Sequence, residues 1–171
     1  KQIIDYLALV IDPNDSGSFA SVVNYPSRAI GIASIEAIKK ISRIKGVSLV
    51  DACKDYTPRQ KRSAAGLRQF LEVYHRLSEE ITGAIAPSIE AALRLTKIED
   101  FLKNSKPKEA KEILDNIEEL RLAAIEYENR SPDPYLVDFL SDLRLDGEGF
   151  QVEQNVVSLM TIHKSKGTEY S

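Results

Sequence analysis

The 171-residue sequence predicts an all-α, multi-helix domain that is followed by one short β-strand. Two observations support this prediction. Through most of the chain, apolar residues recur every three or four positions, and proline or glycine ends each periodic run. Residues 156–162 instead form a continuous β-rich, apolar run, which is typical of a buried strand. We therefore divide the chain into a helical domain, residues 1–146, and a C-terminal segment, residues 147–171.

The chain opens with two predicted helices. The first spans residues 1–10, where apolar residues share one face, and it ends before Pro13 and a polar turn. The second is short and closes at Pro26.

A third predicted helix follows a tight apolar turn at residues 28–32. Gly46 is its expected C-terminal stop. Ser48 is the expected cap of a short fourth helix, which ends at Asp55. The third helix carries an isoleucine at every third position: Ile35, Ile38, Ile41 and Ile44.

The start of the fifth helix is predicted from a capping pattern. Thr57 is a favourable N-cap, Pro58 suits the first helical position, and Gln60 completes a capping box. We expect this helix to end at Gly83.

Three further helices are predicted towards the C-terminus. Pro87 opens one that continues through Leu102, Pro107 opens a long one, and Asp133 caps the last after a break at residues 131–134. The residues of these later helices that we expect in the core are Leu67, Phe70, Leu71, Tyr74, Leu77, Ile81, Ile89, Leu93, Ile98, Phe101, Leu102, Ile113, Ile117, Leu120, Ala124, Leu136, Phe139, Leu140 and Leu143.

Charge and composition exclude several classes of protein. The formal net charge of −3 excludes a wholly basic nucleic-acid binder, but it permits a local basic face. A single cysteine, Cys53, excludes an internal disulfide framework and a cysteine-rich zinc site. No apolar run approaches the roughly 18 residues that a membrane span needs. With 43% hydrophobic and 29% charged residues, we expect a soluble, globular chain. Because it starts at Lys1 without a methionine and stops a few residues past a conspicuous motif, we expect it to be a piece of a longer protein.

Residues 12–17 superficially copy the opening of a calcium-binding EF-hand loop. That loop needs a bidentate glutamate at its twelfth position, where this sequence has Val23. Because asparagine, aspartate, serine and glycine are ordinary turn residues, we interpret the segment as a turn between helices.

Motifs for nucleophilic or acid–base catalysis are absent from the sequence. His75 falls in the middle of a predicted helix, and no Gly-x-x-x-x-Gly-Lys-Ser/Thr phosphate loop is present. The chain therefore cannot hydrolyse a nucleotide by that mechanism on its own. Cys53 is interpreted as a small core residue.

The turn at residues 28–32 has features of a phosphate-binding hairpin. Gly31 lets the backbone approach a neighbouring molecule, and the N–H groups of a helix start can hold a phosphate. Such hairpins bind duplex nucleic acid without reading its sequence. The positive charge for such binding would come from Arg28, Lys39, Lys40, Arg43 and Lys45. A tight turn between helices with a solvated basic face explains the same residues equally well.

The block after the predicted strand is a second candidate site. Thr161 and His163 end the strand and can hydrogen-bond a phosphate or a base. Gly167 permits close approach, and Glu169 can accept a hydrogen bond from a ribose hydroxyl. In α/β folds, ligands bind at the carboxyl ends of strands, although a solvated turn would also suit these residues.

This block resembles motif V of the UvrD/PcrA/Rep-like superfamily 1 helicases, whose pattern runs Met-Thr-x-His-x-x-Lys-Gly-Leu-Glu-Phe. Residues 24–31, Asn-Tyr-Pro-Ser-Arg-Ala-Ile-Gly, are similar to the family's Asn-x-Pro-x-Arg-Gly-Ile-Gly. The opening helix and its Asp-Pro-Asn-Asp turn are similar to the family's segment just before that motif. The order and spacing of these segments agree across essentially the whole chain.

The resemblance implies that residues 1–146 are a 2B subdomain, a mostly helical insertion in the RecA-like domain 2A. Motif V would then be the re-entry into 2A. The family's members are ATP-driven helicases that move 3′ to 5′ on single-stranded DNA, and 2B contacts the duplex ahead of the fork and regulates unwinding. The implied partners are duplex DNA with a 3′ single strand, domains 1A, 1B and 2A, and a DNA-repair protein, with no membrane. ATP and Mg²⁺ would bind the parent enzyme and not this piece, in a bacterial cytoplasm or nucleoid.

The resemblance also implies roles for single residues. Arg28, Ile30 and Gly31 match the duplex-contacting turn. On the motif V side, Thr161 and His163 match positions near the single strand, and Gly167 and Glu169 match positions near the nucleotide.

Two departures from the family pattern bear on binding. Ala29 stands where the family has the first glycine of Gly-Ile-Gly, and Thr168 stands where it has leucine. The first change affects how closely the backbone can approach a phosphate, and the second affects packing beneath the nucleotide.

Two other functions remain open from the sequence. One is a regulatory protein-interaction module that restrains the motor or docks a repair partner, which an exposed apolar patch with an acidic face over the turn would favour. The other is a nuclease–helicase of the RecB type. The predicted strand at residues 156–162, without its sheet, could also pair with a second copy of the chain.

Overall fold

The computed structural model describes residues 1–105 and 107–148, with side-chain surroundings given as far as residue 144. Over these residues the fold is all-α, as the sequence predicted. The helices are α1 (Gln2–Ile11), α2 (Ser16–Val22), α3 (Ile32–Lys45), α4 (Leu49–Asp55), α5 (Lys61–Glu80), α6 (Ile85–Thr96), α7 (Ile98–Ser105), α8 (Pro107–Arg130) and α9 (Leu136–Glu148).

Helix α1 lies at the centre of the core. It packs against α2, α5, α6 and α9, and it buries nearly all of its length. Tyr6 and Leu7 are fully buried, and the ring of Phe19 meets the ring of Phe70 edge-on at 5.9 Å. A helix that is apolar on most of its faces is stable only when other helices surround it, which explains why α1 is central.

The predicted ends of α3 and α4 are confirmed. Gly46 ends α3 with a φ of 65°, a left-handed conformation that glycine adopts without a steric penalty. Ser48 caps α4 by accepting a hydrogen bond from the N–H of Asp51. Pro107 begins α8, also as predicted. Every core residue predicted for the later helices except Phe101 is buried or packs against the core. Phe101 is half-buried, and its ring meets the ring of Tyr25 edge-on at 5.4 Å.

The predicted start of α5 is wrong. The helix begins at Lys61, with Gln60 as an N-cap that makes no side-chain hydrogen bond, and Thr57 is exposed. Two tertiary hydrogen bonds, from Tyr56 to Ser34 and from Ser63 to Ala29, hold the segment at both ends. Residues 56–60 are not helical, so the first helical residue is Lys61, three residues later than the capping pattern suggests.

The region predicted as one helix from Pro87 to Leu102 forms two helices. Lys97 separates α6 from α7 with a left-handed φ of 52°. Helix α6 also starts earlier than Pro87, because the Glu128 carboxylate accepts hydrogen bonds from the N–H groups of Ile85 and Ala86 at 2.8 and 3.1 Å. This cap comes from α8, far along the chain, and no local pattern reveals it.

The last helix begins at Leu136 and not directly after Asp133. The N–H of Leu136 donates a hydrogen bond to the Gly83 carbonyl at 3.2 Å, which ties this start to the turn after α5. The predicted strand at 156–162 lies outside the described residues, and the domain boundary at 146 stays a prediction. In the described part of the chain, no helix is both long and apolar enough to cross a membrane.

Candidate nucleic-acid interface

The turn between α2 and α3 is closed by the side chain of Asn24. Its Oδ1 accepts hydrogen bonds from the backbone N–H groups of Arg28 and Ile30, at 2.8 and 3.0 Å. The Ile30 side chain is buried in the core. The turn therefore has a defined shape that its own residues impose before any ligand is present.

Arg28 is an internal residue of this turn. Only 5% of it is exposed, and its Nη1 donates to the carbonyls of Val22 and Tyr25 at 3.0 and 2.7 Å. The Tyr6 hydroxyl donates to the same two carbonyls. The sequence suggested that Arg28 supplies positive charge to a ligand, but its guanidinium is engaged with backbone carbonyls. In this structure Arg28 positions the turn.

Helix α5 packs directly against the turn. A Cβ atom on Gly66 would lie 2.0 Å from the Arg28 carbonyl oxygen, so only glycine permits this close packing. The Ser63 hydroxyl donates to the Ala29 carbonyl at 2.7 Å. Ala29 itself has a φ of 58°, in the left-handed region. The family pattern has glycine at this position, and the observed backbone explains why glycine suits it.

The N-terminus of α3 is exposed at the end of the turn. Gly31 is its N-cap and offers no side-chain hydrogen bond to the first N–H groups of the helix. Ile32, the first helical residue, is 81% exposed. A Cβ atom on Gly31 would meet no atom within 4 Å, and its φ of −86° is accessible to any residue. The fold therefore does not require glycine here.

The predicted cations of α3 follow along the same helix. Lys39 forms an ion pair with Glu36 at 3.2 Å, and the exposed Arg43 donates from Nε to the Lys39 carbonyl at 3.3 Å. Lys40 is exposed and forms no ion pair among the described residues. At 1.5 Å per residue, Lys39 lies about 12 Å along the axis from Gly31. Lys45 pairs with Asp55 at 3.0 Å.

Positive and negative charges are concentrated in two different segments of the chain. Residues 26–76 contain 11 Lys and Arg against 4 Asp and Glu, a net charge of +7. Residues 77–148 contain 9 against 17, a net charge of −8. The total of −3 conceals this separation, which a count by segment would have found. The basic segment, residues 26–76, contains the turn, α3 and most of α5, together with three exposed cations that the sequence reasoning missed, Arg59, Lys61 and Arg62.

The structure also describes Asp15, Cys53 and His75, which were weighed in the sequence as site residues. Asp15, in the turn that copies an EF-hand, caps α2 by accepting hydrogen bonds from the N–H groups of Gly17 and Ser18. Cys53 is buried, and this burial raises the pKa of its thiol to about 12. His75 is exposed on α5. The remaining candidates, Thr161, His163, Gly167 and Glu169, lie outside the described residues.

Comparison with known proteins agrees with the resemblance noted in the sequence. The chain matches the UvrD-like helicase C-terminal domain family over residues 1–171. It is 33% identical to the ATP-dependent DNA helicase PcrA of Bacillus subtilis, over 99% of this chain and 24% of that protein. It is 28% identical to DNA helicase II of Escherichia coli, over 99% of this chain and 25% of that protein. The chain thus spans about a quarter of the length of these relatives. A match along its whole length places the chain in the UvrD-like helicase C-terminal domain family.

Proposed function

We propose that residues 1–146 are the 2B subdomain of an ATP-dependent 3′–5′ DNA helicase, and that this subdomain contacts duplex DNA near the fork and regulates unwinding. The relatives are DNA helicases by name. The turn that resembles the family's duplex contact lies within the basic segment, residues 26–76. The contact would be to phosphates and independent of sequence, because backbone N–H groups recognise phosphate and not bases.

The observation that carries this proposal is Gly31. The fold has room for a side chain there and the backbone conformation allows one. A glycine that the fold does not need is explained by the close approach of another molecule. The uncapped N–H groups next to it carry the positive end of the α3 dipole, which attracts a phosphate.

Gly31→Asp tests the proposal. Aspartate is a favourable N-cap, so the thermal midpoint of unfolding should be unchanged or higher. Its carboxylate would occupy the free N–H groups and repel phosphate. We expect binding of a fluorescent duplex with a 3′ single-stranded tail to weaken by about tenfold or more at low salt.

The matched control for this substitution is Gly31→Asn, which caps the helix without adding charge. It should bind the duplex more tightly than the aspartate variant does. Equal duplex binding by the unaltered chain and Gly31→Asp would refute the proposed contact.

The segment from 147 to 171 is proposed as the linker, strand and motif V loop of domain 2A. Thr161 and His163 would lie near the single strand, and Gly167 and Glu169 near the nucleotide, with Glu169 binding the ribose. ATP and Mg²⁺ would bind between the motor domains of the longer protein. If so, Glu169→Ala in that protein should raise the KM for ATP, and an unchanged KM would exclude this role.

A second candidate function is supported by the outer face of α8. Leu122 and Ile125 are 60% and 49% exposed, and Asp115, Glu118 and Glu119 lie on the same helix beside them. We propose that this face docks a protein segment with basic and apolar side chains, and so regulates the motor. The acidic residues here lie on α8, which packs on α6 and α7, whereas the turn packs on α5.

A helical lysine–leucine peptide of about 20 residues is a suitable probe for this face, with a glutamate–leucine peptide as its control. Replacing Leu122 and Ile125 by serine keeps the negative charge and removes the apolar contact, so the lysine–leucine peptide should bind about tenfold more weakly. Equal affinity for the altered and unaltered chains would count against docking on α8.

A further inference from the structure

The burial of Arg28 raises the question of which cations face a phosphate beside the turn. Its guanidinium is hydrogen-bonded to backbone carbonyls, and Lys39 and Lys45 are paired with Glu36 and Asp55. The resemblance to the family implies a duplex contact at the turn only, and it implies no cation outside the turn. Further cations for a phosphate must therefore come from the segments that touch the turn.

The segment that joins α4 to α5 is fixed on both sides of the N-terminus of α3. At one end, the Tyr56 hydroxyl donates to Ser34 Oγ, in the first turn of α3, at 3.0 Å. At the other end, the Ser63 hydroxyl donates to the Ala29 carbonyl at 2.7 Å. Residues 57–62 must therefore run past the exposed end of α3.

Three exposed cations lie on this segment. Arg59 precedes α5, and Lys61 and Arg62 are its first two residues. None of the three forms an ion pair within the described part of the chain. The Cα of Arg62 is about 3.8 Å from that of Ser63, whose hydroxyl touches the turn. These exposed charges therefore lie on a segment that is tied both to the turn and to the first turn of α3, and they are free to bind an anion.

We infer that Arg59, Lys61 and Arg62 form a second phosphate-binding strip beside the turn, and that the strip and the uncapped end of α3 bind one nucleic-acid duplex together. This inference rests on the proposed function and extends it to residues outside the family's turn motif. The turn supplies backbone N–H groups, which fix the position of a phosphate. The strip supplies mobile cationic side chains, which neutralise further phosphates and release counterions.

The test is a double substitution, Lys61→Ala with Arg62→Ala, in the full 171-residue chain. A fluorescent duplex with a 3′ single-stranded tail is titrated at several salt concentrations. If each cation neutralises one phosphate, the slope of log affinity against log salt should fall in magnitude by about 1.8. Affinity at low salt should fall by about fivefold or more.

The matched control is Lys108→Ala with Lys111→Ala, which removes the same charge from exposed positions on α8. It should leave both the slope and the affinity nearly unchanged. Exchanging the two cations, Lys61→Arg with Arg62→Lys, should retain most of the duplex affinity of the unaltered chain, since phosphate neutralisation needs only the charge. Circular dichroism and the thermal midpoint verify that each variant is folded.

The possible outcomes separate this inference from the proposed function. If the unaltered chain binds the duplex and the Lys61/Arg62 variant binds it equally well, the strip is refuted and the turn contact stands. If both alanine pairs weaken binding equally, the effect is one of net charge, and the strip is again refuted. If the unaltered chain binds no duplex at low salt, the proposed function fails and the strip fails with it.

Discussion

The turn holds Ala29 in a left-handed backbone conformation. Its φ of 58° places the Cβ of an L-residue too close to the following carbonyl oxygen, which costs about 1–2 kcal/mol. The conformation persists because Ser63 bonds the Ala29 carbonyl and Asn24 holds the residues on either side. The neighbouring contacts therefore over-determine a backbone that alanine disfavours.

Ala29→Gly should stabilise the protein. Glycine removes the left-handed penalty but loses about 0.5–1 kcal/mol through its flexibility when unfolded, so the expected net gain is about 0.5–1 kcal/mol. For a chain of this length, the thermal midpoint should rise by about 2 °C. Circular dichroism during heating measures it.

Ala33→Gly is the control for this substitution. Ala33 lies in the first turn of α3, where ordinary helical backbone makes glycine unfavourable by up to about 1 kcal/mol. The two substitutions should therefore shift the midpoint in opposite directions. A fall in the midpoint for both variants would show that the strain at Ala29 is not relieved by glycine.

Among the helices, several ends are determined by side chains from distant elements. Glu128 of α8 caps α6, and Arg144 of α9 bonds Asp15, the N-cap of α2, at 2.7 Å. The Asp15 carboxylate is partly desolvated, which opposes ionisation, but hydrogen bonds from Ser18 and Arg144 outweigh this and lower its pKa to about 2. The charged cap thus connects the first and last parts of the described fold.

Asp15→Asn should destabilise the protein at neutral pH and have a smaller effect in acid. The folded pKa lies below the unfolded value of 3.8, so the stabilisation by the charge is complete above about pH 5 and disappears as the pH falls towards 2. Asparagine still caps the helix. Because Arg144 is partly exposed, we expect a loss of about 1 kcal/mol at pH 7.

Urea unfolding of the two proteins between pH 7 and pH 3 measures this effect. The difference in the free energy of unfolding should narrow as the pH falls. Arg144→Gln should add little in the Asp15→Asn background, because the pair shares one interaction. A difference that is constant with pH would show that the carboxylate charge contributes nothing.

At the scale of the whole molecule, the described helices share one core, and this core includes the single cysteine. Cys53 on α4 is 2% exposed, and its thiol lies 3.3 Å from the Leu49 carbonyl. Burial raises the pKa of the thiol to about 12, so almost no reactive thiolate exists at neutral pH. Its reactivity therefore reports opening of the fold.

A thiol reagent at pH 8 should label Cys53 only when the protein unfolds. In the folded chain, labelling should be at least about 100-fold slower than in urea, and its urea dependence should follow the loss of helix measured by circular dichroism. Ser27→Cys in a Cys53→Ala background places an exposed thiol as the control, which should react rapidly in the folded state. Rapid labelling of Cys53 without unfolding would contradict its buried position.

Periodicity and local capping signals were sufficient to predict the helical class and most of the elements. Three-to-four spacing reports which face of a helix is apolar, and this is a property of neighbouring residues. The end of α3 at Gly46 and the cap of α4 at Ser48 followed because each depends on a few residues in a row. The motif of the turn was also visible, since its residues are adjacent in the chain.

Long-range contacts decided the rest. The start of α5 and the cap of α6 depend on partners far away in sequence, and local patterns carry no record of them. At the candidate site, Arg28 is a cation in the sequence and an internal brace in the fold: its guanidinium bonds the carbonyls of Val22 and Tyr25, and α5 packs against its backbone at Gly66. Folding also brought the segment that carries Arg59, Lys61 and Arg62 to the turn, because two hydrogen bonds tie it to Ser34 and Ala29.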